Sequence, residues 1–290
     1  MAAYRSDVTS GDDEAFEPAG YVVLVEPGDR IHFLDWAGDQ RPGVVLIHGL
    51  AGSAWAWAVV ARQLRMSRQT VAMDLRGHGL SDAPTSPGAY DLSVLASDVI
   101  AVAEGSGALS SEDGDSVVLA GHGFGAIVAA TAAVHLGERC RRLVLVDGGL
   151  DRVESTTGMD VDEFLRGLDE PPEVMRSMTA YLADRRAWDP ATWDADQERA
   201  ARAAVVETPA GRLVGATRPH ALEACVRAMF TYDPGEVLPL VGAPIVAVRR
   251  EGSPSRLIAG ADVTVTDLPA PGHNLLRYRP AEVTAAIVGR

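Results

Sequence analysis

Short, almost unbroken apolar runs alternate with longer amphipathic stretches through the first half of the chain. Val44–Ile47, Val71–Met73, Val117–Ala120 and Leu143–Val146 contain no polar side chain. That pattern is expected of parallel strands with helices covering both faces. Between these runs, Ala54–Leu64, Leu92–Glu104 and Phe124–Leu136 have helical length and spacing, while Tyr21–Val25 and Ile31–Trp36, split by Pro27-Gly28-Asp29, predict a hairpin. The alternation predicts an α/β fold built on a mostly parallel, twisted sheet flanked by helices. After Asp147-Gly148-Gly149 the pattern changes. Residues 150–233 are helical in period, rich in Arg, Asp and Glu, and without strand-like runs; Ile245–Val248 and Val263–Thr266 resume the strands, and Pro280–Val288 predicts a closing helix. The expected organisation is a core of residues 21–149 and 234–290, a helical cap of residues 150–233 inserted after strand 6, and a flexible tail over residues 1–20.

Composition narrows this picture. With 290 residues, 47% of them hydrophobic, the chain can bury one large core. A net charge of −14 argues against nucleic acid and anionic membrane surfaces as partners, because both attract basic patches. The segment Met1–Gly20 lacks the apolar region of a signal peptide, and no run is long enough to cross a membrane. Cys140 and Cys225 lie far apart without metal-ligand spacing, which suits a reduced, cytoplasmic setting better than a structural disulfide. No metal cluster, phosphate loop or dinucleotide motif is present, so no cofactor is expected. The sequence leaves the oligomeric state open.

The chemistry centres on Asp115–Ala126, which reads as a buried strand, a tight turn and a helix start. A G-x-S-x-G elbow lifts a serine above a sheet in this context, but here the pattern is Gly121-x-Gly123-x-Gly125, with no hydroxyl at its centre. Four further stretches follow a recognisable order around it: His48-Gly49-Leu50-Ala51-Gly52, Asp74–Asp82, Leu145-Val146-Asp147-Gly148 and Pro271-Gly272-His273-Asn274. Together these resemble the α/β-hydrolase superfamily, in its epoxide hydrolase and esterase-like group with a helical cap, and the resemblance runs from Tyr21 to the C-terminus.

That resemblance implies an oxyanion hole made by the backbone N–H groups of Leu50 and Phe124, with Gly49 and His122 beside them, and His273 as the catalytic histidine. It implies an acid after the strand near Val248, but Ser253 stands there. Glu251, two residues earlier, and Asp147, at the end of the preceding core strand, are the carboxylates that could partner His273; Asp147 is preferred because a strand's carboxyl end faces the crevice. Arg76, His78 and Ser81 are expected to tie their loop together, and His48 to bond loop backbone. Trp55, Trp57, Phe124, Trp188 and Trp193 are candidates for an apolar binding wall, with Trp55 and Trp188 foremost.

Glycine adopts the strained backbone of an elbow freely and leaves space between the two N–H groups and His273. Three readings stand. The protein is an enzyme without covalent catalysis, in which His273 acts as general base on a small apolar carbonyl compound, in ester or lactone hydrolysis or a lyase, cyclase or isomerase step. It is a ligand-binding pseudo-hydrolase. Or it is a Ser-to-Gly variant of an active serine hydrolase.

Overall fold

The computed structural model describes residues 16–110, 115–168, 177–253 and 260–289. Most of the expected tail, together with Met175 and Pro254, lies outside the described residues. Eight strands form one sheet: β1 (Ala19–Val25), β2 (Asp29–Asp35), β3 (Gly43–Ile47), β4 (Thr70–Met73), β5 (Val117–His122), β6 (Cys140–Val146), β9 (Ile245–Arg250) and β10 (Val263–Leu268). Their spatial order is β1-β2-β4-β3-β5-β6-β9-β10. The β1–β2 hairpin joins the sheet antiparallel at β4, and every pairing from β4 to β10 is parallel.

The continuous apolar runs follow from a core on both sides. Successive side chains of a strand face opposite ways. Val45, Ile47, Leu119, Leu143 and Leu145 accordingly pack with α2 (Leu92–Gly105) and α3 (Phe124–Leu136) on one face. Val44, Leu46, Ala120, Val144 and Val146 pack on the other with α1 (Ala58–Arg65) and α11 (Pro280–Val288). Helix α3 is buried almost all round, and its alanines and glycine let it sit close to the sheet. The expected first helix is divided: Ala54–Trp57 forms a 3₁₀ turn before α1 begins.

Between β6 and β9 lie α4 (Val153–Thr157), α5 (Val161–Leu168), α6 (Met178–Trp188), α7 (Ala195–Ala203), α8 (Pro219–Thr231) and α9 (Pro234–Val237). The expectation of no strands here is corrected. β7 (Val205–Glu207) and β8 (Leu213–Gly215) form an antiparallel ribbon, with Val205 and Leu213 packed on Tyr181. Each is three residues long, too short to register as a periodic run. The last elements are α10 (Leu275–Tyr278) and α11.

Candidate active site

The elbow between β5 and α3 is fixed by its outer glycines. A Cβ on Gly121 would collide with the carbonyl of Gly125, and one on Gly125 would collide with the carbonyls of Ile47 and His48. Helix and strand can therefore approach only if both positions lack side chains. Gly123 is different. It holds φ +55°, ψ −117°, yet a Cβ there would meet no backbone within 3.7 Å; its first neighbour would be His273 Nε2 at 3.1 Å. The elbow thus keeps room for a side chain, directed at an imidazole.

His273 lies in the loop between β10 and α10, and its Nδ1–H donates to Asp147 Oδ2 at 2.7 Å. A carboxylate can only accept, so in the neutral ring this bond selects the Nδ1–H tautomer and turns the Nε2 lone pair toward Gly123. Asp147 follows β6 with φ +45°, a left-handed conformation a non-glycine residue holds only when its surroundings impose it. Its N–H donates to Val248 O at 2.8 Å, and its Oδ1 accepts the Arg250 N–H at 3.2 Å. Burial pushes the Asp147 carboxyl up, but the His273 bond and charge and the Arg250 N–H and guanidinium outweigh it, so the group sits below the ordinary carboxylate range. Asp147 is almost buried (7% side-chain exposure) while His273 is open (58%). Glu251 is exposed, its N–H is spent on Leu268 O, and its side chain makes no bond to His273. Of the two candidate carboxylates, the structure brings Asp147 to the imidazole.

Leu50 and Phe124 both line a cavity of about 600 Å³ together with Gly49, His122, Gly123, Asp147 and His273. Phe124 opens α3, so its N–H has no intrahelical acceptor, and the Leu50 N–H makes no hydrogen bond among the described residues. His122 is buried beside them, with its Nε2–H donating to the His273 carbonyl at 3.1 Å. Burial, and then the nearby His273, lower its pKa to about 4, so it stays neutral. Gly49 makes room for that ring: a Cβ on it would stand 3.0 Å from His122 Nδ1.

Beneath the cavity, His48 donates through Nδ1–H to Gly49 O at 2.7 Å and accepts the Leu75 N–H on Nε2 at 3.0 Å. His78 donates to Arg76 O and accepts the Ala51 N–H. Arg76 is buried on Asp98 and Asp29, and Ser81 Oγ donates to Asp74 O. These side chains hold loops.

Of the five candidates for the apolar wall, Phe124 lines the cavity and the four tryptophans do not. Trp188 is 79% exposed under Arg185, and Trp55 packs edge-on to Trp36 (5.9 Å) with Arg199 over its ring; neither lines the cavity. Trp57 is wholly buried in the core. The rest of the apolar lining comes from Leu50, Ile127, Leu150, Val153, Phe164 and Met229, the last four belonging to the segment between β6 and β9. Arg249, Arg250, Ser253 and Asn274 add polar groups that the sequence reading left unassigned or read otherwise.

Comparison with known proteins fits this geometry. The family model described as "Alpha/beta hydrolase family" matches residues 44–287. Epoxide hydrolase 4 of Mus musculus is 30% identical over 127 residues, 44% of this chain and 34% of that protein. N-formylmaleamate deformylase of Pseudomonas putida is 34% identical over 120 residues, covering 41% and 42%. The matched stretch therefore spans about a third to two fifths of these curated relatives. Among solved structures, E-2-(acetamidomethylene)succinate hydrolase superposes with a TM-score of 0.77 at 20% identity, over 94% of this chain and 98% of that one. The thioesterase domain from the curacin biosynthetic pathway does so at 0.73 and 20%, over 94% and 100%.

Proposed function

The chain belongs to the alpha/beta hydrolase family, and from that premise we propose that it is an enzyme working without a covalent intermediate. His273, its tautomer set by Asp147, takes a proton from water on Nε2, and the water attacks a small carbonyl compound. The N–H groups of Leu50 and Phe124 hold the oxygen that becomes negative, and such donors contribute roughly 3–4 kcal/mol each where they act. The segment between β6 and β9 acts as the cap, supplying the apolar wall through Phe164 and Met229. N-formylmaleamate, named for one relative, is a carbonyl compound.

One observation carries the reading: His273 Nε2 stands 3.1 Å from where a Cβ on Gly123 would be, so base and water can meet where a nucleophile's side chain would otherwise lie. A base on an acidic C–H of the bound compound would use the same atoms, giving a lyase or isomerase step. Incubation with 4-nitrophenyl acetate tests the proposal. Turnover is expected without a burst and without an acyl adduct in the intact mass, falling by about 10²–10⁴-fold in His273→Ala. An acyl adduct on the native chain overturns it.

The absence of any side-chain oxygen at position 123 also favours a second reading, a pseudo-hydrolase that binds its ligand unchanged. No His273-dependent turnover on aryl esters, lactones or activated amides would select it. The finding that Asp147 partners His273 weakens this alternative, because Ser253 then marks a relocated acid and not a lost one.

A further inference from the structure

Strand β9 ends in two consecutive arginines with opposite surroundings. Arg249 and Arg250 both line the cavity. The Arg249 guanidinium is bonded to Asp267 on the neighbouring strand through Nε and, at 3.2 Å, its second terminal nitrogen. Arg250 is half-buried as a residue, and its guanidinium makes no hydrogen bond or ion pair among the described residues, acting on Asp147 only through space. Other arginines of the described residues also lack an ion pair, but this one stands at the wall of the candidate active site. Its backbone N–H and the His273 ring bond the two oxygens of the same Asp147 carboxylate, so the Arg250 main chain and the proposed base share one partner.

A guanidinium is always charged, has five donors in a planar fork, and matches a carboxylate through two parallel bonds. Partial burial raises the strength of such a bond and the cost of leaving the charge alone. We infer that Arg250 is the seat for a carboxylate on the substrate, so that the molecule under the cap is a short acid whose anionic end lies a few carbons from the reacting carbonyl. This rests on the proposed function for the identity of the reacting end, and it revises the expectation of a purely apolar ligand. The remaining wall, with Phe164, Met229, Val153 and Ile127, still requires a compact, mostly apolar body. Arg250 also bears on Asp147 through space, so a purely electrostatic role must be separable by experiment.

Calorimetric titration with succinamate and with its neutral counterpart succinamide separates the two. The native protein is expected to bind succinamate at least tenfold more tightly, Arg250→Met to bind both alike, and Arg250→Lys to keep part of the preference because the charge remains without the fork. Near-UV circular dichroism establishes that each variant is folded; if Arg250→Met is not, Arg250→Gln takes its place. Equal affinity of the native protein for the two probes, binding of neither at millimolar concentration, or a preference that survives Arg250→Met overturns the inference. Binding needs no turnover, so a carboxylate preference in a protein inactive on esters would refute the proposed reaction and leave the seat standing. Turnover without that preference would do the reverse.

Discussion

Two histidine–aspartate pairs of almost the same geometry occur among the described residues. His32 Nδ1 bonds Asp74 Oδ2 at 2.8 Å, and His273 Nδ1 bonds Asp147 Oδ2 at 2.7 Å. The likeness extends to a glycine: a Cβ on Gly20 would stand 3.1 Å from His32 Nε2, as one on Gly123 would from His273 Nε2. What differs is everything around them. Asp74 also accepts the N–H groups of Ala54 (2.7 Å) and Leu80 (3.0 Å), tying the loops after β3 and β4 together. Burial pushes its carboxyl up, but the His32 bond, His48 and these amides bring it below the ordinary range. His32 is buried in β2 with its second nitrogen against the edge hairpin, whereas the second nitrogen of His273 opens on a cavity lined by Leu50 and Phe124. A carboxylate behind an imidazole is therefore not sufficient for a base. The free nitrogen must face a space that a substrate can enter, with donors waiting for the charge that develops.

The sharpest way to break this comparison is to remove one member from each pair. His273→Ala is expected to lower kcat/KM by about 10²–10⁴-fold with little change in thermal stability, since the ring is exposed. Asp74→Ala is expected to do the opposite in kind. It strands the buried Ala54 amide, the part-buried Leu80 amide and His32, for a loss of about 3–5 kcal/mol in urea unfolding. Activity per folded molecule should stay within a few-fold of native. An Asp74→Ala protein of native stability that fails to turn over would show that the two pairs had been assigned the wrong way round.

A smaller effect separates the two glycines. Gly123→Ser puts a hydroxyl beside His273 in a left-handed conformation, which costs about 1–3 kcal/mol of stability. The expected gain is a nucleophile: burst kinetics on 4-nitrophenyl acetate and labelling by a fluorophosphonate, neither of which is expected of the native protein. Gly20→Ser brings a hydroxyl equally close to His32 Nε2 but outside any cavity lined by oxyanion donors, and no labelling is expected. Labelling of the Gly20→Ser protein at position 20 would mean that imidazole proximity alone activates a serine here. A strong burst in Gly123→Ser would also favour reading the native glycine as a substitution in an otherwise intact serine hydrolase.

How far these features were legible in the sequence follows from what each residue depends on. The parallel strands could be read because burial on both faces makes every position apolar; Val44–Ile47 and Val117–Ala120 announce themselves in this way. The elbow could be read because its two outer glycines, at fixed spacing, have a steric reason, visible now in the contacts of Gly121 and Gly125. The choice between Asp147 and Glu251 could not be settled, since it turns on which strand end the loop after β10 docks against. Trp55 and Trp188 were misjudged because an aromatic in a helical stretch does not declare which way its face turns; Trp188 turned to solvent. Arg250 was passed over because a charged pair at a strand end reads as a wet edge, and only the pairing of Arg249 with Asp267 singles out its neighbour.

The buried histidines give the last and smallest contrast, through acid. Burial lowers the pKa of His48, takes that of His78 to about 3 and that of His122 to about 4, the neighbouring imidazoles adding to it for His78 and His122. An unfolded chain takes up these protons below about pH 6.5, whereas the folded one refuses them, so stability must fall as pH drops from there toward 4. Each such group contributes a slope of up to ~1.4 kcal/mol per pH unit inside its window. Asp74, depressed, adds its own loss only below about pH 4. Asp98, raised by burial against the pull of Arg76, acts in the opposite sense just above its ordinary value. Above pH 4.5 the histidines therefore dominate. Urea unfolding at intervals from pH 7 to 4.5 should show stability declining with acid, and His122→Asn should flatten that decline by up to one proton's worth of slope. An unchanged slope in His122→Asn would mean that His122 takes up its proton as readily in the folded protein as in the unfolded chain, and is then charged beside His273 in acid.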